Sequence, residues 1–294
     1  MQGGYTVRPS PKEADDMSWE FLTIYWRDML RFVRFRIALV ASLIQPALWM
    51  ALYGAAMSSN FNRLSSGMAA PDGASVVSYL TFMGAGVIAL TTLFTSLFGG
   101  ITLLFDKNWG LMRELLASPM PRNHIILGIG LSGVTKSFIQ VMVIMGFGLF
   151  IGVNFFHGYS AMQTALAVLG VLLFVGVFSL GFLFLSSAIS MSMDTPEGLQ
   201  AVITLLTLPL FFASNALYPI DAFPGIVRML SQFNPLTHLV NGVRYFAIGH
   251  DFYAMGIHYS YSSGDILTSF LALAGFAAVM FIVAWRVFKR AVVT

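Results

Sequence analysis

The chain has 294 residues, of which 57% are hydrophobic and 10% charged, with mean hydropathy +0.78. Soluble domains carry about 25% charged residues, so no soluble core hides this much apolar surface, and lipid must cover part of it. The absence of cysteine excludes disulfides and thiolate sites, and the net charge of +3 is assigned to membrane-flanking loops rather than to nucleic acid.

Residues 1–17 are polar, with Pro9, Pro11, Glu13, Asp15 and Asp16. They read as a flexible cytosolic tail, not as a cleavable signal. Over 18–36, Trp19, Leu22, Trp26, Met29, Leu30 and Val33 recur at helical spacing, and Arg27, Arg31 and Arg34 fall off that face. This predicts an amphipathic helix in the cytoplasmic interface. It is either a basic anchor or a docking surface for a cytosolic partner.

Uncharged stretches then predict spans at about 37–57 and 79–100. A polar loop over 106–122 follows. Within it Leu111 and Leu115 lie one turn apart beside Arg113 and Glu114, and Pro119 stops the turn. A short exposed amphipathic helix here predicts contact with a partner. Apolar sequence resumes and is divided at Asn154–Tyr159 into spans at about 130–153 and 161–189. Lys136 is the one fixed charge in this run and is expected to snorkel to the cytoplasm.

Thr195, Pro196 and Glu197 predict a helix start: an N-cap, a first-position proline and an acid at the positive end. The fifth span covers about 198–218 and the sixth about 266–285. Between them, 219–262 is aromatic and broken by Pro219, Pro224 and Pro235, and reads as an external cap or re-entrant helical hairpin. The predicted fold is therefore an all-α integral membrane protein with six transmembrane helices. Twelve of the sixteen Lys and Arg fall in the segments expected inside, against Arg63, Arg228 and Arg244 outside, so both termini are expected in the cytoplasm.

Three apparent motifs carry no chemistry. Gly128, Gly130 and Gly133 spell a dinucleotide fingerprint, but no acidic residue occurs between Glu114 and Asp194. The glycines are expected to let helices approach. Lys136 and Ser137 stand two positions late for a P-loop, so ATP falls to another chain. The histidines 124, 157, 238, 250 and 258 lack metal-ligand spacing. No catalytic, cofactor or metal residue is expected in this chain.

The 106–122 loop resembles the cytoplasmic loop of ABC-2-type permeases, the membrane subunits of ABC exporters for drugs and polysaccharides. There an acid precedes a Leu-Leu pair and a proline, as Glu114, Leu115, Leu116 and Pro119 do here. Ala216-Leu217-Tyr218-Pro219, Asn234-Pro235-Leu236-Thr237 and Arg244 resemble the same family's region after span five, and Gln45-Pro46 fits its first span.

The resemblance implies paired permeases, as a homodimer or a heterodimer, in a prokaryotic inner membrane. It also implies two separate ATPase subunits that bind ATP and Mg. Arg113, Glu114 and Leu115, supported by Arg27 and Arg31, are the implied coupling residues. The predicted spans offer no charged lining, which suits an apolar or amphipathic cargo: a drug, a lipid or a lipid-linked glycan. The alternatives are a secondary carrier and a membrane-embedded enzyme, the latter with His238, His250, Asp251 and Asp221 as its candidate groups. A proton-coupled carrier keeps carboxylates within its spans, and every Asp and Glu here falls outside the predicted ones.

Overall fold

The computed structural model describes residues 20–66, 75–117, 120–220 and 223–290; the expected tail at 1–17, Pro119 and Asp221 lie outside them. Helix α1 (Glu20–Arg34) precedes a long, interrupted helix: α2 (Arg36–Leu48), a π-helical stretch (Trp49–Gly54) and α3 (Ala55–Ser66). The interruption follows Pro46, which lacks an N–H and cannot continue the regular ladder. Then come α4 (Tyr79–Asn108), the short α5 (Leu111–Ala117), α6 (Arg122–Phe150), α7 (Ala161–Ser192) and α8 (Pro196–Phe212). Helices α9 (Gly225–Phe233) and α10 (Pro235–Ala247), strands β1 (Asp251–Ala254) and β2 (Ile257–Ser260), and α11 (Ser263–Arg290) complete the order.

Five helices are long and apolar enough to cross a membrane: Leu39–Phe61, Tyr79–Asn108, Asn123–Phe150, Ala161–Ser192 and Ser263–Arg290. The chain is a multi-pass, predominantly helical membrane protein. Helix α8 is apolar but has only 17 residues, roughly 25 Å of rise against a hydrocarbon core of about 30 Å. Thr195 caps it by accepting from the Gly198 N–H, with Pro196 in the first turn, as the sequence predicts. Ser160 and Gln163 form a reciprocal capping box at the start of α7.

Helix α4 is the central element. It is mostly buried and packs on α6, α7, α8 and α10. Small residues set the spacing: a Cβ on Gly100 would lie 2.1 Å from Ser186 Oγ, and one on Gly86 would lie 2.2 Å from the Ala216 carbonyl oxygen. Helix α2 and the π-helical stretch after it are peripheral, with Ile37, Val40, Ile44, Leu48 and Leu52 exposed. Such an apolar face suits lipid or another subunit.

The structure departs from the sequence reading at the hairpin and at the ends of α4 and α6. The 219–262 region is not wholly helical, because residues 251–260 form an antiparallel hairpin turning at Met255 and Gly256, both at positive φ. Its strand β1 also bonds the segment before α4, Val77 N–H to the Tyr253 carbonyl and Tyr253 N–H to the Ser75 carbonyl, both at 2.8 Å. Helix α4 runs on to Asn108 rather than ending near 100, and α6 starts at Arg122 rather than near 130. Arg244, counted in the outer segments, is completely buried in α10.

Candidate coupling site

At the end of the bundle carrying α1 and α5, a second apolar cluster gathers Ile24, Leu103, Met112, Ile125, Phe184 and Phe288. Helix α5 joins it through Met112, with Leu115 packed against the rim. Arg113 and Glu114 are exposed, one helical position from those anchors. The link to α4 is Gly110 at φ +82°, a left-handed turn that glycine adopts without strain. The short helix is thus held by its apolar side and offers its charged side outward.

Helix α1 lies on α6, where a Cβ on Gly128 would sit 2.7 Å from the Phe21 carbonyl oxygen. Gly130 faces Phe184 and Leu180, and Gly133 faces Leu183. The three glycines therefore serve helix contact. The amphipathicity of α1 is inverted relative to a soluble helix: Leu22, Trp26, Leu30 and Val33 are exposed, and Asp28 is buried. The apolar stripe is left uncovered by this chain, while Asp28 faces protein.

Arg27 and Arg31, each about a third exposed, pair within the chain. Both donate to the carboxylate of Asp106, Arg27 Nη2 at 2.7 Å and Arg31 Nη2 at 2.9 Å. Asp106 is 1% exposed, so the two guanidinium groups supply the compensation that a buried carboxylate requires. Asp28 is the second buried acid. It accepts from Ser132 Oγ at 3.1 Å, with Lys136 Nζ at 3.8 Å and Arg27 Nη2 at 3.4 Å. Lys136 therefore ends on Asp28, not in water as the snorkelling expectation had it.

The next two residues of α4 tie it to the opposite neighbour. Lys107 Nζ donates to the carbonyls of Met191 and Met193 and to Asp194 Oδ1, at 3.3, 2.8 and 2.9 Å. Asn108 Nδ2 donates to the Asp194 carbonyl at 3.2 Å. Asp106, Lys107 and Asn108 thus connect α4 to α1 on one side and to the α7–α8 turn on the other. Helix α5 follows these three residues directly, after the Gly110 turn.

The sequence reading located Arg113, Glu114 and Leu115 on this helix but missed Asp28, Asp106, Lys107 and Asp194. The missed signal was the isolated Asp28 within a basic stretch: an acid there needs a cation or a donor once the helix docks. Deeper in the bundle, Thr95 Oγ1 donates to Gln140 Oε1, and Gln140 Nε2 donates to Ser42 Oγ at 2.9 Å, linking α4, α6 and α2.

Of the candidate enzymatic groups, His238, His250 and Asp251 lie among the described residues. His238 Nδ1 pairs with Ser269 Oγ at 3.2 Å, and burial lowers its pKa. His258 Nε2 bonds Asp251 Oδ1 at 2.7 Å on the exposed hairpin, and the backbone carbonyl of His250 accepts from Tyr261 N–H. Among the described residues no group of three or more His, Asp or Glu could hold a metal.

The model of the family described as ABC-2 type transporter matches residues 20–247. "Putative transport permease ycf38" of Cyanophora paradoxa is 30% identical over 227 residues, covering 77% of this chain and 73% of that protein. "Nodulation protein J" of Rhizobium meliloti is 24% identical over 246 residues, 82% of this chain and 86% of its own. "Inner membrane transport permease YadH" of Escherichia coli is 24% identical over 280 residues, 92% and 96% of the two chains.

Proposed function

Because this chain belongs to the ABC-2 type transporter family, we propose that it is the permease subunit of an ATP-driven exporter. Two copies form the translocation pathway and two separate ATPase subunits bind at the end carrying α1 and α5. In this reading ATP and Mg are handled by the partner chains. The cargo is apolar or amphipathic: a drug, a lipid or a lipid-linked glycan leaving the cytoplasm. The protein resides in a prokaryotic inner membrane with both termini in the cytoplasm, and α8 with the irregular segment after it makes a sixth crossing. The two copies are identical in the simplest assembly.

The observation that carries this reading is the placement of α5. Its apolar residues are anchored in the second cluster while Arg113 and Glu114 stand exposed. It also adjoins the Asp106–Asn108 connections to both neighbours. Arg113 and Glu114 contact the ATPase, and Leu115 keeps the helix seated. Arg27 and Arg31 act one step removed, by fixing α1 to α4.

The test is affinity purification of the tagged full chain from its host membrane, then reconstitution with the ATPase subunits that come with it. Glu114→Lys and Arg113→Glu should leave the folded permease intact and remove its stimulation of ATP hydrolysis. Hydrolysis and transport at parental rates in both variants would refute the coupling role. Transport by the chain alone, with no ATPase bound, would favour the secondary carrier instead.

A further inference from the structure

At the end of the bundle opposite the coupling site, α10 buries the guanidinium of Arg244 completely. Among the described residues it has no carboxylate partner. The group lies over the Phe82 ring of α4, 3.5 Å from its centroid, with the Tyr259 ring of β2 at 5.9 Å. Its Nη2 donates to the carbonyl of Asn215 at 2.7 Å and to that of Ala216 at 3.4 Å. Its Nε and Nη1 are buried and find no hydrogen-bond partner among the described residues.

Those two carbonyls belong to residues 213–218, where the chain leaves α8 without continuing as a helix. Irregular backbone at membrane depth needs its polar groups satisfied by protein. The same segment is held from α4 by Tyr79 Oη, which donates to the Leu217 carbonyl at 3.2 Å. Gly86 lets α4 approach the Ala216 carbonyl directly. Arg244 therefore stands where α4, α10, the hairpin and the end of α8 meet.

A buried cation without a counter-charge is costly, and breaking its few bonds is costlier still. Apolar packing alone would have held these elements with a leucine or methionine. What an arginine adds is a directional, charge-assisted grip on two carbonyls together with spare donors that a shifted segment could engage.

We propose that Arg244 is a positioning residue for the exit end of the pathway: it keeps residues 213–218 closed against α4, and ATP-driven movement releases that segment. This rests on the permease reading above. The closed state and its release are measured separately, so the two can fail independently.

The chain contains no cysteine, so a single introduced one is the only thiol this chain offers, and its labelling is read on the band of this chain. Ser214 is 1% exposed, and Ser214→Cys is the smallest change that reports on the segment. The full chain carrying it is placed in lipid nanodiscs with its ATPase and treated with a charged maleimide. In the resting complex, labelling should be slow. It should rise roughly tenfold or more when Arg244→Met removes the charge-assisted bonds. Arg244→Lys, which keeps the charge but loses the flat guanidinium that lies over Phe82, should fall between. Should the Met variant fail to assemble, the Lys variant decides alone. Equal labelling of parent and Lys variant at rest overturns the proposal. So does labelling of the parent that ATP leaves unchanged while hydrolysis proceeds. Loss of ATPase binding by the parent would instead strike the permease reading and leave the resting comparison valid.

Discussion

Replacing Asp106 by Asn separates a folding role from a mere surface pairing. The substitution keeps the shape and one acceptor oxygen but removes the charge that Arg27 and Arg31 share. Exposed ion pairs contribute about 0–1 kcal/mol, and breaking a buried pair costs about 3–5 kcal/mol. Here the acid is 1% exposed and the arginines are 30% and 35% exposed. The cost should fall between those limits, about 2–3 kcal/mol, because each arginine can still reach water. That corresponds to roughly 30- to 150-fold more frequent undocking of α1.

Hydrogen exchange of residues 20–34 in nanodiscs reads this directly, with α7 as internal reference. Because uncompensated cations cause the loss, the charge-free triple variant Arg27→Met, Arg31→Met, Asp106→Leu should exchange more slowly than Asp106→Asn alone. If α1 exchanges at the parental rate in Asp106→Asn, or if the triple variant is the worse of the two, the paired charges do not hold the helix.

Three further outcomes follow. Gly86→Ala places a methyl on the Ala216 carbonyl and should destabilise by about 1–3 kcal/mol, whereas Gly146→Ala, with nothing within 4 Å, should be neutral or stabilising; thermal unfolding in detergent compares them. Lys136→Met should be milder than Asp28→Asn in the same assay, because Asp28 keeps Ser132 and Arg27 when the lysine is lost, while the lysine is left buried when the acid is lost. His238 has a lowered pKa from burial. Its contribution should be intact above the unfolded value near 6.5 and decline as pH falls through the folded value, so His238→Gln should flatten the acid side of the stability profile. An unchanged profile would contradict that.

The long spans were legible because lipid imposes a length and an apolar composition that sequence displays openly. The start of α8 was legible because Thr195 and Pro196 follow local capping rules. The end of α4 was not: charge at Asp106 and Lys107 suggested a loop, yet both are absorbed by partners distant in sequence. The hairpin was missed because its turn is Met255-Gly256 rather than the usual Asn-Gly, although Phe252 and Ala254 do alternate inward. Arg113, Glu114 and Leu115 could be found on a helix by spacing, while the pairing of Arg27 and Arg31 within the chain depends on which face of α1 meets α6. A periodic pattern marks two faces without saying which side is lipid.

The inside-out character of α1 also sets an order of events in biosynthesis. Arg31 and Arg27 wait for a carboxylate 75 and 79 residues downstream, and Asp28 for a serine 104 residues downstream. At translation rates of about 5–20 residues per second, that interval is roughly 4–20 s. During it the adjacent Arg27 is the partner that the helix itself offers Asp28. The pairing that buries Asp28 and Asp106 is therefore completed only after α4 and α6 have both been made.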